Sequence, residues 1–276
     1  MTLPQIKKQR KHNEAIIVLG IFLAVIFGLA MINNTIFIIP MLLGVGLAGF
    51  GFHRNQKLSL IYKEHHLKQT IEENFPNCTY TPSKGFDKEF ITESKIVKGN
   101  IFKSEDFLEG TFEGYAFKSA DVHLQERRSS GKSSYTVTTF QGRFYVVDFP
   151  RRFPEDVYIM PTPSLWFSPF SDIKKIPLES VEFNRAFNVY SKDQHSAFYL
   201  MTPRFMEKIV EFSSKYDKVT YAFKNNEILI AVDYRSDNFD FKFADELEDF
   251  YVKHIERELN LLKDMMQIIR KNASTF

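Results

Sequence analysis

Cysteine and tryptophan are nearly absent from this chain, which has one of each, Cys78 and Trp166. A lone cysteine excludes an internal disulfide framework and any Cys-x2-Cys metal knuckle, and it suits a reducing compartment. Histidine supplies no metal spacing either. The seven are His12, His53, His65, His66, His123, His195 and His254, and the adjacent pair His65-His66 leaves a helix in different directions. An excess of one charge is also missing. Of 36 basic and 34 acidic residues, 32 and 33 follow Phe52. The bulk of the chain is therefore near neutral, without the basic surface that a nucleic-acid partner needs.

Catalytic signatures are lacking too. There is no G-x-S-x-G elbow. Gly131-Lys132-Ser133 invites a phosphate-loop reading, but the position that must be glycine is Glu126, and the context is a hairpin tip. Asp193 and His195 lie close to Ser191 and Ser196 at a strand-to-helix join, where sequence neighbours rarely form a triad. Acidic pairs such as Glu105-Asp106 and Asp245-Glu246 open or cap elements. No catalytic residue, cofactor-binding residue, cofactor or metal ligand is assigned.

What is present begins with two uncharged apolar runs, Ala15 to Ile32 and Ile36 to Phe52, separated by Asn33, Asn34 and Thr35. As helices they reach roughly 26 Å, close to the hydrocarbon thickness of a bilayer. Small residues recur at spacing four, as Gly20, Ala24 and Gly28 on the first helix and Gly44 and Ala48 on the second. That spacing lets helix backbones approach in lipid. Pro40 falls in the first turn of the second helix, where its missing N–H is tolerated. Lys7, Lys8, Arg10 and Lys11 precede the pair and Arg54 and Lys57 follow it, so the positive-inside tendency puts both ends in the cytoplasm. A signal peptide fits less well: the first run is too long, no A-x-A-like site follows, and a second run comes at once. A buried soluble helical pair is the remaining alternative. The sequons at Asn33, Asn77 and Asn272 are chance matches in a cytoplasmic setting.

Residues 1–14 then read as a basic cytoplasmic N-terminus, 15–52 as a transmembrane hairpin and 53–75 as a helical stalk with Leu60, Leu67 and Ile71 on one stripe. Residues 76–243 read as an α+β domain and 244–276 as a C-terminal amphipathic helix. Within the domain a short helix is expected over 87–92, and strands over 106–112, 115–126, 135–149 and 157–161. The stretch Arg127 to Ser134 (RRSSGKSS) reads as a flexible polar tip, and 162–177 as a loop. Helices are expected over 180–187, 193–200 and from Thr202-Pro203 onward, with an extended stretch over 188–191. Asn225-Asn226 marks a two-residue hairpin, with Val219, Tyr221 and Phe223 facing Ile228, Ile230 and Val232. The terminal helix, near 244–271, carries Val252, Ile255, Leu259, Leu262, Met266 and Ile269 on one face. That face could pack along the stalk or on a second copy.

The central segment resembles a known family. Glu182-Phe183, Phe187, Val189-Tyr190-Ser191, Asp193, Ala197, Tyr199 and Thr202-Pro203-x-Phe205-Met206 are similar to the core motif of the bacterial domain of unknown function 3137. Ser94-x-Ile96, Glu105-Asp106 with Gly110, and Phe140-x-Gly142-x-Phe144 fit the same pattern. The similarity is expected from about residue 10 to 235, with the terminal helix outside it. The resemblance implies an inner-membrane protein with a cytoplasmic α+β domain and no assigned site residues. The expected fold is thus an N-terminal two-helix transmembrane hairpin, a mainly antiparallel sheet with packed helices, and a long terminal amphipathic helix. The expected role is a non-enzymatic, membrane-anchored binding or scaffold module, in the bilayer and beside a protein partner or a second copy, with both termini cytoplasmic. The alternatives are a membrane-face enzyme whose site sequence cannot assemble, and an anionic-lipid headgroup binder using Arg127, Arg128 and Lys132.

Overall fold

The computed structural model describes residues 1–32, 34–74, 76–112, 114–131, 133–162, 171–216, 218–235, 260–261, 263–265 and 267. They divide into two compact units, residues 1–74 and the remainder.

The first unit is helical. Helix α1 spans Leu3–Met31, and Asn34 caps a short 3-10 turn by accepting the Ile36 N–H at 3.0 Å. Helix α2 spans Ile38–Tyr62. A π-turn over Lys63–Leu67 leads into α3, Lys68–Asn74. Helix α1 thus starts well before the apolar run and includes the basic residues. The π-turn also corrects the expected stripe. Leu60 is 43% exposed, whereas Leu58, Tyr62, Leu67 and Ile71 are buried. One extra residue in the turn changes the spacing from four to five, which moves the buried line from Leu60 to Tyr62 and Leu58.

The second unit is α+β, built on an antiparallel sheet of nine strands among the described residues. The strands are β1 (Cys78–Thr81), β2 (Ile101–Phe112), β3 (Tyr115–Ser130), β4 (Ser133–Asp148), β5 (Val157–Pro161), β6 (Lys174–Ile176), β7 (Phe187–Ser191), β8 (Lys218–Lys224) and β9 (Glu227–Asp233). Their order across the sheet is β1-β2-β3-β4-β9-β8-β5-β7-β6. The Asn225-Asn226 hairpin forms with the expected pairs, Val219 opposite Val232, Tyr221 opposite Ile230 and Phe223 opposite Ile228. Asn225 takes φ 52°, which asparagine tolerates.

Helices cover both faces. On one, α4 (Lys88–Glu93) supplies Phe90 and Ile91 to a core with Val122, Leu124, Phe140, Phe144, Val146, Met160 and Leu229. On the other, α5 (Val181–Ala186) and α7 (Pro203–Lys215) supply aromatic rings, with Phe205 edge-to-face on Phe223 at 5.7 Å and Phe183 tilted against Phe187 at 5.4 Å. Between them in sequence lies α6 (Gln194–Leu200), capped by Asp193. Gly142 is required where β4 meets β9, because a Cβ there would run into the Val232 carbonyl.

Two expectations change. Strand β6 falls within the expected loop, and β1 and the first half of β2 form where no element is expected, because these short or charged stretches lack an apolar alternation. Residues 163–170 of the expected loop lie outside the described residues. The polar tip is a ladder: Glu126 pairs with Val137, and pairing continues to Ser130 with Ser133. Serine and arginine suit an exposed two-stranded ribbon as well as they suit a loop. Of the terminal helix, residues 260, 261, 263–265 and 267 are described and helical. Leu261 and Met265 are buried there, and Asp264 pairs with Lys215 of α7 at 2.9 Å. The expected stripe at Val252, Ile255, Leu259, Leu262, Met266 and Ile269 lies outside the described residues.

Candidate functional site

Two arrangements in the helical unit carry function at the level of placement. The first is a seam of small residues. A Cβ on Gly44 would stand 2.6 Å from the Ala24 nitrogen and 2.9 Å from the Gly20 carbonyl oxygen, and one on Gly20 would collide with the backbone of Ala48. Gly20, Ala24, Gly44 and Ala48 therefore form a backbone-to-backbone contact. Gly28 is looser, with only the Met41 side chain near, at 3.7 Å. Gly51 joins the seam: a Cβ there would approach Ile17 at 2.7 Å and the Asn13 carbonyl at 3.1 Å. Its position, seven residues after Gly44, was available as a signal.

The second arrangement is the outer surface of the same pair. Val18, Phe22, Val25, Leu29, Ile39, Leu42 and Leu43 are all more than half exposed. Both helices are long and apolar enough to cross a membrane. A soluble helical pair would bury these side chains, because contiguous exposed apolar surface of this extent is rare in water.

In the sheet unit, a buried polar network lies on the face opposite the α4 core. Asp106 sits in a β-bulge of β2 with φ 59°, and the Tyr80 hydroxyl donates to its carboxylate. One register step away, Arg143 donates to Asp121 at 3.0 Å and to Ser119 at 3.0 Å. All of these side chains are buried. Burial, then the Asp106 carboxylate beside it, pushes the Tyr80 phenol far above its usual range. Tyr80 stays protonated and donates, so the network pins the bulge rather than presenting a nucleophile. Asp121 and Arg143 stand in the polar phase of β3 and β4, with Ser119 and Gln141, so no local sequence signal marks them as buried.

Other candidates resolve into local structure. Asp193 accepts from the Ser196 N–H at 2.7 Å and its hydroxyl at 2.8 Å, and these bonds lower its carboxyl pKa. The Ser191 hydroxyl donates to the Asp156 carbonyl at 2.8 Å. The family-motif residues Phe183, Phe187, Val189, Ala197, Phe205 and Met206 are buried, while Asp193 and Thr202 cap helices. The motif therefore encodes packing and capping around β7. Burial pushes the Cys78 thiol up, partly offset by the Thr111 N–H.

An open groove of about 480 Å³ has Ile91, Val97 and Leu124 at its floor and Lys95, Lys98 and Glu126 at its rim. Burial lowers the Lys98 pKa, while nearby Glu126 raises it. No three His, Cys, Asp or Glu residues converge as metal ligands among the described residues.

The arginines expected to meet lipid lie on the β3–β4 ribbon. Strand alternation sends Arg127 and Arg128 to opposite faces. Arg127 donates to the Ser134 hydroxyl at 3.1 Å, and Arg128 pairs with Glu126 at 3.1 Å. The structure does not bring the two together, and Lys132 lies outside the described residues.

Comparison with known proteins agrees with the central motif. Residues 138–271 match the family model of a protein of unknown function (DUF3137). The match starts inside β4 and runs through the terminal segment, not from residue 10 to 235. The helical pair, Ser94-x-Ile96 and Glu105-Asp106 fall outside it. No curated protein matches the chain. The crystal structure of the mycobacterial trehalose monomycolate transport factor A, TtfA, is similar at 11% identity, covering 71% of this chain and 93% of that chain, with a TM-score of 0.38. A likeness that distant bears no weight on function.

Proposed function

We propose that this chain, whose DUF3137 match carries no assigned chemistry, is a membrane-anchored, non-enzymatic binding module. Helices α1 and α2 cross the inner membrane of a bacterial cell as a close hairpin. Both termini lie in the cytoplasm, and the α+β domain works at that face on a protein partner or a second copy. The observation that carries this reading is the division of the helical pair, with glycine and alanine at the mutual seam and bare isoleucine, leucine and phenylalanine outside. Lipid is the environment in which that division is stable. Lys7, Lys8, Arg10, Lys11, Arg54 and Lys57 flank the spans on the cytoplasmic side.

The polar groups of the domain support binding over catalysis: the strongest network is buried, and its tyrosine is held neutral. The lipid-headgroup reading of the ribbon is the weaker alternative, since its arginines diverge and Arg128 is paired with Glu126.

The test combines alkaline carbonate extraction with a C-terminal reporter active only in the cytoplasm. Retention in the membrane pellet together with an active reporter is expected. Release by carbonate would end the anchor, and a silent, well-expressed reporter would reverse the orientation.

A further inference from the structure

Among the described residues, the tip of the β3–β4 ribbon has no strand paired to the outer edge of β4. Strand β9 joins β4 only from Gly142, opposite Asp233, and the Gln141 N–H reaches the Asp233 carboxylate at 3.4 Å. From Ser133 to Thr138 no described strand pairs with the outer edge of β4. The companion edge, on β3, is occupied further along: β2 pairs to Gln125, and the Arg127 N–H donates to the Asn100 side chain at 3.3 Å. The bare run reads Ser-Ser-Tyr-Thr-Val-Thr, with no charge, proline or glycine. Proteins blunt such edges with lysine, proline or a bulge. Here the bulge comes only at Thr139, whose hydroxyl is tied to the Leu124 carbonyl at 3.1 Å. An uncharged run with four successive strand formers, Tyr135 to Thr138, unpaired on this edge among the described strands, is a template for another strand.

We infer that the outer edge of β4 is completed by the same edge of a second copy of this chain, antiparallel and centred on Thr136. This names the partner of the binding module and rests on that reading. Charge argues for a second copy, because the edge carries none and self-pairing sets no like charges opposite one another. Arg127, Arg128 and Glu126 stay one strand behind. Symmetry then limits the register. Two antiparallel copies related by a two-fold axis must set a residue opposite itself, which leaves Tyr135 or Thr136 at the centre of the run. With Thr136 central, Tyr135 faces Val137 of the second copy twice, on one side of the ribbon, and Ser134 faces Thr138. Aromatic with β-branched is a favourable cross-strand pair. Tyr135 is 52% exposed, so half of its ring is available to such a pair.

The test uses the full chain in detergent micelles or lipid nanodiscs. Thr136→Cys is expected to form a disulfide dimer under mild oxidation, since opposed residues across an antiparallel pair come within bonding range. Ser129→Cys stays monomeric, because it lies on β3 and its copies stand three strand spacings apart, roughly 14 Å. The buried Cys78 leaves the unsubstituted chain as an unreactive control. Thr136→Lys places like charges opposite each other and is expected to lower the dimer fraction at least tenfold, with unchanged circular dichroism, while Thr136→Val keeps it. A monomeric parent chain, crosslinking of Ser129→Cys equal to Thr136→Cys, or a dimer indifferent to Thr136→Lys would each overturn the inference. So would pairing of this edge only with a strand of another protein. Carbonate retention of Thr136→Lys reports the anchor separately, so loss of pairing and loss of anchoring are distinguishable.

Discussion

Gly44 and Gly28 were expected on one helix seam, and the structure separates their roles. Gly44→Ala would press a methyl into the Ala24 backbone. Backbone cannot rotate away, so the helices must part, at a cost of about 1–3 kcal/mol by analogy with overpacked cores. Gly28→Ala meets only the Met41 sulfur at ordinary contact distance and is expected to be neutral within about 0.5 kcal/mol. Thermal unfolding of the two variants in micelles checks the contrast, and equal effects would remove the seam from the account. The buried phenols give a second test. Tyr80→Phe deletes a charge-assisted hydrogen bond to Asp106 and is expected to lower stability by about 1.5–3 kcal/mol in denaturant titration. Tyr80, Tyr158 and Tyr221 are all raised above the free phenol, chiefly by burial. A raised tyrosine favours the folded state's protonated form, so this stabilisation is complete below about pH 10 and declines as pH rises beyond it. Tyrosinate absorbance is expected to rise together with unfolding; ionisation of all twelve tyrosines before any loss of ellipticity would contradict it.

Turns and caps made some elements legible, and their absence hid others. The β8–β9 hairpin could be read because two asparagines separate two apolar alternations, and α7 because Thr202-Pro203 is both cap and first turn. Asn225→Ala forces alanine into left-handed backbone and is expected to cost about 1–2 kcal/mol, while Asn225→Gly is tolerated. Asp193→Ala removes the cap of α6 and is expected to cost about 1 kcal/mol. Chemical denaturation of both variants measures these, and an indifferent Asp193→Ala would show that tertiary contacts alone hold α6. The π-turn at Lys63–Leu67 has no comparable signature, since nothing in KEHHL announces an inserted residue. The bulge at Asp106 was equally silent: it needs long-range bonds, the Asp106 N–H to Pro82 and the Phe107 N–H to Lys84, that local pattern does not carry. The ribbon was misread for a different reason. Its polar composition matches a loop, and only pairing between Arg127 and Thr136 or Arg128 and Tyr135 makes it a strand.

For the whole molecule, the apolar runs announced the close-packed pair of long apolar helices, whereas the candidate contacts of the sheet unit emerged only with the fold. Strand edges and buried charge pairs are relations between segments far apart in sequence, and single-sequence periodicity records neighbours only. The membrane reading then has a direct physical consequence at Leu43, which is 69% exposed near the middle of the second span. On a soluble helical pair, arginine there would be harmless and would improve solubility, because the position touches water. Facing lipid, Leu43→Arg adds about 2.5–3.5 kcal/mol to insertion, the penalty for a charge at a helix centre. Ala48→Arg would fail in either environment, since it faces the seam, so only the lipid-facing position separates the two cases. The expected result is a fall of Leu43→Arg in the carbonate-resistant fraction, with Leu43→Phe unchanged. A soluble, folded and abundant Leu43→Arg, matched by an equally soluble parent chain, would mean that the exposed apolar face is covered by protein instead of bilayer.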